Sequence, residues 1–264
     1  MAIPKPAHLG PAYAAQFQDA AVVAAYPTRP PYPAAVFDLL TSLVVGPRVA
    51  LDAGCGTGDV ARRLAPRIER MDAVDISAAM VAAGQRLPGG DAANLRWQVA
   101  ALEDAPLAGP YGLVVAGESL HWMDWERVLP RLHAALAPGA MLAIVERAEE
   151  PSPWSAALLR LIVRYSTNHD FRPYDLVAEL ARRDLFTLAG ATRVEPEPFT
   201  QRLAAYVESI HSRNGFSRDR MRPEDAAAFD AAATNLIAPH APSGQVTLHI
   251  GAELRWGSPR AQAQ

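Results

Sequence analysis

The stretch LDAGCGTGDV, Leu51–Val60, decides how the whole chain is read. An apolar run ends in glycines at alternate positions, Gly54, Gly56 and Gly58, and a helical pattern follows. Glycine permits positive φ and lets a ligand approach the backbone closely. A strand, a glycine turn and a helix in that order aim the free N–H groups of the helix start at the turn. In doubly wound sheets that is also where ligands sit, beyond the carboxyl ends of the strands. The same residues also suit a tight strand-to-helix turn that holds nothing.

Outward from this turn, strand and helix alternate. RVALDAG (48–54) reads as a strand after a helical pattern at 33–45, and GDVARRLAPR as a helix that stops near Pro66. RMDAVDIS is a second strand, and SAAMVAAGQRL a helix with Ser77 as N-cap. NLRWQVAAL and YGLVVAGES follow as strands, WERVLPRLHAALA as a helix started or kinked near Pro130, and PGAMLAIVERA as a turn and fifth strand. That alternation predicts an α/β architecture, a parallel sheet with helices on both faces. After Pro151 the rhythm changes. Helical patterns at 154–169 and 174–186 have no strand between them; a short strand at 192–199, two more helices and a final strand at 244–257 complete the chain. Two isolated strands bury no core of their own, so this half reads as the end of the same sheet with helical insertions. The expected organisation is a single domain, 1–264. It comprises an N-terminal helical strap (1–47), a ligand-binding core (48–150), a helical lid with strand 6 (151–240), and the last strand and tail (241–264).

Composition narrows the partners. The chain has 264 residues, half of them hydrophobic, with a net charge of −3, which gives no electrostatic reason to expect nucleic acid or an anionic membrane. One cysteine, Cys55, excludes an internal disulfide and suits a reducing cytosol. No basic segment precedes an apolar run at the N-terminus, and no run of about 18 apolar residues occurs. A cytoplasmic protein without membrane contact is expected. The oligomeric state is not legible.

A dinucleotide fingerprint, G-x-G-x-x-G/A, would place its third small residue at position 59, where Asp59 stands and where its charge would repel a pyrophosphate. G-x-G-x-G with Asp52 at the strand end suits a ligand with an ammonium group. Asp75 ends the second strand, 21 residues after Gly54, and a carboxylate there can accept hydrogen bonds from both ribose hydroxyls. LDAGCGTGDVARRLA, MDAVDISAAM and LAPGAMLAIVE together resemble the successive motifs of class I S-adenosylmethionine-dependent methyltransferases. The resemblance implies a Rossmann-like, doubly wound, seven-stranded sheet with the last strand antiparallel, and S-adenosyl-L-methionine as cofactor. It implies that Asp52, Ala53 and Gly54 face the methionine end, that Gly56 makes room, that Asp75 holds the ribose, and that Ile76 and Met80 pack on the adenine. AALEDAP departs from the family's GDAEDLP: Ala101 replaces the aspartate that commonly binds the adenine amino group, leaving Glu103 or a backbone carbonyl as substitute and the Leu102 amide for the ring.

AGESLHWMDW, 116–125, follows the fourth strand and resembles the HWFD-type segment of a methyltransferase subgroup that acts on small molecules, including enzymes similar to trans-aconitate methyltransferase. In that subgroup a stretch like YPTRPPYP folds over the cofactor, which implies Tyr26 and Arg29 near the methionine carboxylate or the substrate. Glu118 stands either near the methionine or as a helix cap. His121 is the candidate base for a hydroxyl acceptor, or a hydrogen-bonding residue at the crevice edge; a carboxylate acceptor needs no base. No second cluster completes a metal site around Glu118, His121 and Asp124. Tyr165, His169, His211 and Arg213 are further candidates on the lid. The expected function is methyl transfer to a small organic molecule, most simply at oxygen. The rivals are a nicotinamide-dependent oxidoreductase on a similar sheet and a non-catalytic S-adenosylmethionine-binding protein.

Overall fold

Apolar alternation in VALDA buries both faces of one short strand, and the rest of the sheet is built around it. The computed structural model describes residues 5–261; the extreme ends of the strap (1–4) and tail (262–264) lie outside the described residues. In chain order the elements are α1 (Pro11–Ala14), α2 (Ala20–Ala25), α3 (Ala34–Leu43), β1 (Val49–Ala53), α4 (Asp59–Leu64), β2 (Arg70–Asp75), α5 (Ala78–Gln85), β3 (Leu95–Val99), β4 (Leu113–Gly117), α6 (Trp125–Ala135), β5 (Leu142–Glu149), α7 (Ser155–Tyr165), α8 (Leu176–Arg182), β6 (Phe186–Arg202), α9 (Leu203–His211), α10 (Pro223–Ile237) and β7 (Gln245–Pro259). The seven strands lie in the order β3-β2-β1-β4-β5-β7-β6. The first five are parallel and β7 runs antiparallel to both neighbours. The order reverses between β1 and β4, the point beyond whose carboxyl ends such sheets bind their ligands.

Each face of the sheet has its own apolar layer. Phe37 and Leu40 of α3 and Val60 and Leu64 of α4 cover one face; Val128, Leu129 and Leu132 of α6 and Leu180 of α8 cover the other. A third cluster joins Tyr206 and Ile210 of α9 and Phe229 and Ile237 of α10 to Leu248 and Ile250 of β7, so these helices continue the sheet's own core. Strap and insertions are tied together: Arg220 pairs with Asp19 at 2.6 Å, Gly215 donates to Gln16 at 2.9 Å, and Asn214 donates to the Tyr13 carbonyl at 3.0 Å.

Two boundaries differ from the sequence reading. The sixth strand runs 17 residues, where only 192–199 is expected. It is the sheet edge, mostly exposed on both faces, so its sequence lacks the alternation of a half-buried strand; Pro196 and Pro198 are tolerated there because an edge strand leaves half its amides unpaired. Bulges at Leu188/Gly190 and Val194/Glu197 absorb the mismatch with β7. Helix α6 starts at Trp125, capped by Asp124, whose side chain accepts the Arg127 amide, and it continues through Pro130.

The two-residue period of β1 also fixes Asp52. Ala50 faces the α3–α4 layer while Leu51 and Ala53 face the α6 layer, so Asp52 shares the α4 side with Ala50. There its carboxylate accepts the Ala61 amide at 3.0 Å, and burial pushes its pKa up to about 7. Between about pH 4 and 7 the unfolded chain therefore ionises Asp52 while the native chain keeps the proton, and native stability falls as pH rises. Asp52→Asn keeps an acceptor for Ala61 and removes this slope. Urea unfolding at pH 4.5 and pH 7.5 is expected to show the variant gaining on the parent chain as pH rises, by at most about 1.4 kcal/mol per pH unit.

Candidate functional site

The glycine turn lies at the reversal point of the sheet. Gly54 has φ +73°, and a Cβ there would stand 2.6 Å from Cβ of Ser119 across the crevice, so the β1 and β4 ends approach too closely for a side chain. Ser119 Oγ donates to the Ala53 carbonyl and locks that approach. Gly56, at φ +54°, underlies the Tyr26 ring: a Cβ would lie 3.4 Å from the phenol oxygen. The turn's amides have partners within the chain. Gly54 and Cys55 donate to the Val74 carbonyl, Gly56 to Asp75, Gly58 to the Cys55 carbonyl, and Ala61 to Asp52. Four of the five amides from Gly54 to Gly58 are therefore committed within the chain, and a pyrophosphate seated in the turn finds few donors there. The repulsion expected from Asp59 is not the reason, because Asp59 pairs with Arg147 at 2.9 Å and lies 3.9 Å from Arg63. Asp52, expected to face the methionine end, turns its carboxylate to α4.

Asp75 bridges two segments. Its carboxylate accepts the Gly56 amide and the Ser77 amide, each at 2.8 Å. Burial raises its pKa against the opposing pull of these two bonds. Each oxygen keeps a further lone pair for a pair of ligand hydroxyls. Beside it Ile76 is 55% exposed, and Val99, paired in register with Asp75, is 51% exposed. Two bare aliphatic side chains next to a pinned carboxylate fit the base and sugar of a nucleoside. Val99 is absent from the sequence reading, although its place at the end of β3 follows from the rule that identified Asp75. Met80 and Leu102 are buried, at 1% and 4% exposure, and Met80 donates its amide to the Ser77 cap. Glu103 directs its carboxylate to the Asp124 amide at 2.8 Å.

The strap supplies the opposite wall. Arg29 donates to the Tyr26 phenol oxygen at 3.1 Å and to Ser212 Oγ at 3.0 Å, and stands 3.5 Å from Glu118. Glu118 is one of two non-glycine residues with positive φ among the described residues, at +52°, a strained backbone that turns its carboxylate into the crevice. It does not cap α6; it binds Arg147 through one carboxylate oxygen and accepts the Arg147 amide with the other. Arg147 in turn covers the Tyr32 ring at 3.9 Å. Sequence reasoning missed Arg147, which follows Glu146 near the carboxyl end of β5, where this architecture collects site residues. Burial alone would raise the Glu118 pKa, but Arg147 and Arg29 outweigh it and hold it at about 2.

Arg29, Glu118 and Arg147 open onto a cavity of about 900 Å³ roofed by α7 and α9 and walled by the strap. His121 lines it, in edge contact with Trp122 at 4.6 Å. Its ring nitrogens make no hydrogen bond among the described residues, and burial lowers its pKa to about 4, so it is a neutral acceptor at pH 7. His169 and Arg213 also reach the cavity. His211 does not: fully buried, it bonds the Phe216 carbonyl at 2.9 Å and Asp230 at 2.7 Å. Tyr165 packs on Phe229 at 5.9 Å. Among the described residues no group of three or more His, Cys, Asp or Glu side chains is arranged to hold a metal ion, and no helix is long and apolar enough to cross a membrane.

The folded Glu118 pKa lies below its unfolded value near 4.5, so its stabilising pairs are intact above that pH and are lost as pH falls toward 2. Glu118→Gln is expected to cost about 1–3 kcal/mol at pH 7. In urea unfolding the gap to the parent chain should close between pH 5 and pH 2.

Residues 50–139 match the family described as methyltransferase domain. The chain is 35% identical over 154 residues to trans-aconitate 2-methyltransferase of Paracidovorax citrulli, an overlap of 50% of this chain and 56% of the relative. It is 31% identical over 148 residues to the enzyme of that name from Deinococcus radiodurans, covering 54% and 47%. The chain thus spans about half the length of the curated relatives it matches. Among solved structures, one described as a type II methyltransferase from Anaeromyxobacter dehalogenans superposes with a TM-score of 0.59 at 24% identity, covering 88% of this chain and 99% of that one, a likeness of fold. Residues 50–139 thus match a methyltransferase domain, and the sheet order gives the chain the Rossmann-like fold of the class I methyltransferases.

Proposed function

We propose that the protein transfers a methyl group from S-adenosylmethionine to an oxygen of a small organic acceptor. The observation that carries this reading is the chain of contacts from the glycine turn to the cavity: Gly56, pinned by Asp75, lies under Tyr26, Tyr26 is bonded to Arg29, and Arg29 and Glu118 line the cavity that also bears His121. When bound, the cofactor supplies an electrophilic methyl group on a sulfonium. Gly54 and Gly56 make room for its amino-acid end, Asp75 accepts from its ribose hydroxyls, and Ile76 and Val99 cover its base. Tyr26 and Arg29 close that end from above, and Glu118 offers a carboxylate to an ammonium group while Arg147 holds it in place.

The acceptor side asks less of the protein. In-line attack on a methyl group needs alignment and exclusion of water. The strap and the α7–α9 roof, bonded to each other through Asn214 and Gly215, supply the exclusion. A hydroxyl acceptor must also give up a proton as its oxygen forms the new bond to carbon. Neutral His121 takes that proton, becomes imidazolium and returns it to solvent. The curated relatives from Paracidovorax and Deinococcus are named for trans-aconitate, a carboxylate, for which no base is required; an imidazole without a hydrogen-bond partner lining the cavity favours the hydroxyl case.

Two outcomes are expected. In calorimetry with S-adenosylhomocysteine, Asp75→Ala weakens binding by about 1–3 kcal/mol; unchanged binding in the folded variant rejects the ribose assignment. In steady-state assays His121→Phe lowers kcat by roughly 10²–10⁴-fold with product affinity intact. An unaltered kcat removes His121 as the base.

A further inference from the structure

The acceptor cavity offers few polar groups that are free to meet a ligand. Its formal charges nearly balance, four arginines against three glutamates, so selection among acceptors falls to individual groups. Most of these are engaged. Glu118 holds Arg29 and Arg147, and Glu149 lies 3.6 Å from Arg213 and accepts the Tyr206 phenol at 3.1 Å. Arg172, in no ion pair among the described residues, is exposed and donates to the Phe171 carbonyl at 2.6 Å. Much of the remaining wall is apolar and aromatic, with Phe17, Trp122, Ile162, Phe171, Phe216 and Ile250 among its residues. Such a wall suits a planar ring as the body of the acceptor.

Glu146 is the lining carboxylate that stays open. Consecutive residues leave a strand on opposite faces. Near the end of β5, Arg147 follows Val145 to the α3–α4 side, while Glu146 follows Ile144 to the α6 side. There its carboxylate is half-buried and lines the cavity, with no hydrogen bond or ion pair among the described residues, and its oxygens are not sealed from that space. Arg255 favours its charge from a distance but is engaged by Asp175 at 2.7 Å and Glu253 at 3.2 Å. Burial outweighs that pull and raises the Glu146 pKa. Tyr174 lines the same space, its ring edge-on to His8 at 5.2 Å. Its phenol is also accessible and has no hydrogen-bond partner among the described residues. Burial and the nearby Glu146 carboxylate raise the Tyr174 pKa, so the phenol keeps its proton at pH 7. A carboxylate partly out of water gains from any N–H or O–H that reaches it. The two residues thus offer a strong acceptor and a donor near each other on one wall.

We propose that Glu146 and Tyr174 form the specificity subsite of this cavity, and that the methyl acceptor is a phenol carrying, away from its reacting hydroxyl, a hydrogen-bond donor that Glu146 accepts. This rests on the methyl-transfer reading above and names its substrate class. The donor is an O–H or an N–H group, and Tyr174 donates in return to a hydroxyl. In the reaction the acceptor O–H bond breaks, an O–CH₃ bond forms, His121 takes the proton and the sulfonium leaves as the neutral thioether. Glu146 and Tyr174 touch no reacting atom; they orient the ring so that its reacting oxygen faces the methyl group.

The test uses the full chain saturated with S-adenosylhomocysteine, and three calorimetric probes of one shape: 4-propylphenol, 2-(4-hydroxyphenyl)ethanol and tyramine. They differ only in ending in a methyl, a hydroxyl or an ammonium group. The better of the two donor-bearing probes is expected to bind about fivefold or more tighter than 4-propylphenol. Tyramine in front assigns an ammonium donor, and the alcohol in front a hydroxyl. Glu146→Leu should erase that advantage and keep the binding of 4-propylphenol. Glu146→Gln, of the same size and uncharged, should weaken the favoured probe about threefold or more and leave 4-propylphenol unchanged. Equal binding of all three probes overturns the proposal, as does a donor preference that survives both substitutions. A separate titration with S-adenosylhomocysteine alone keeps the two readings apart. A folded chain that ignores the product overturns methyl transfer, and with it the role of the subsite, while product binding with no binding of any phenol overturns the acceptor class alone.

Discussion

Two backbone amides hold one carboxylate, and the site is organised by that bond. Asp75 reaches from the end of β2 to Gly56 in the β1–α4 turn and to Ser77 at the start of α5, at 2.8 Å each. The bond fixes the turn against the neighbouring strand and commits the Gly56 amide, which would otherwise point at an anion. It also leaves each oxygen of a half-buried carboxylate a lone pair for a further donor. A turn bonded in this way is shaped for a sugar with adjacent hydroxyls and is poorly supplied with donors for a phosphate. The preference for one class of nucleoside over another thus follows from where the amides go, and the acidic residue at position 59 contributes less, because Arg147 neutralises it.

Charge within the site is arranged to cancel. Arg147 stands between Asp59 and Glu118, and Arg29 approaches Glu118 from the strap. The network joins α4, the end of β4, β5 and the N-terminal strap, so it couples the cofactor cradle to the cover above it. Methyl transfer from a sulfonium to a neutral or anionic oxygen disperses charge, and a site without a strong net field suits such a step.

Much of this is legible in the sequence, and the remainder is hidden for identifiable reasons. The β1–turn–α4 unit, Asp75 and the Ser77 cap are local, set by periodicity, glycine spacing and capping chemistry. Tyr26 and Glu118 meet through Arg29. Asp52 is turned to α4 rather than to a ligand, and the alternation of ALDA already contains that answer, since Ala50 and Asp52 share a face. The full length of β6 is invisible because an edge strand exposed on both sides carries no burial period. Arg147 was within reach of the strand-end rule that found Asp75.

The most direct measurement is a pair of calorimetric titrations of the folded chain, one with S-adenosylhomocysteine and one with reduced nicotinamide dinucleotide. Saturable binding of the thioether nucleoside at one site, with no heat from the dinucleotide, is the result expected from the bonding of the β1–α4 turn. Binding of the dinucleotide alone would contradict the account.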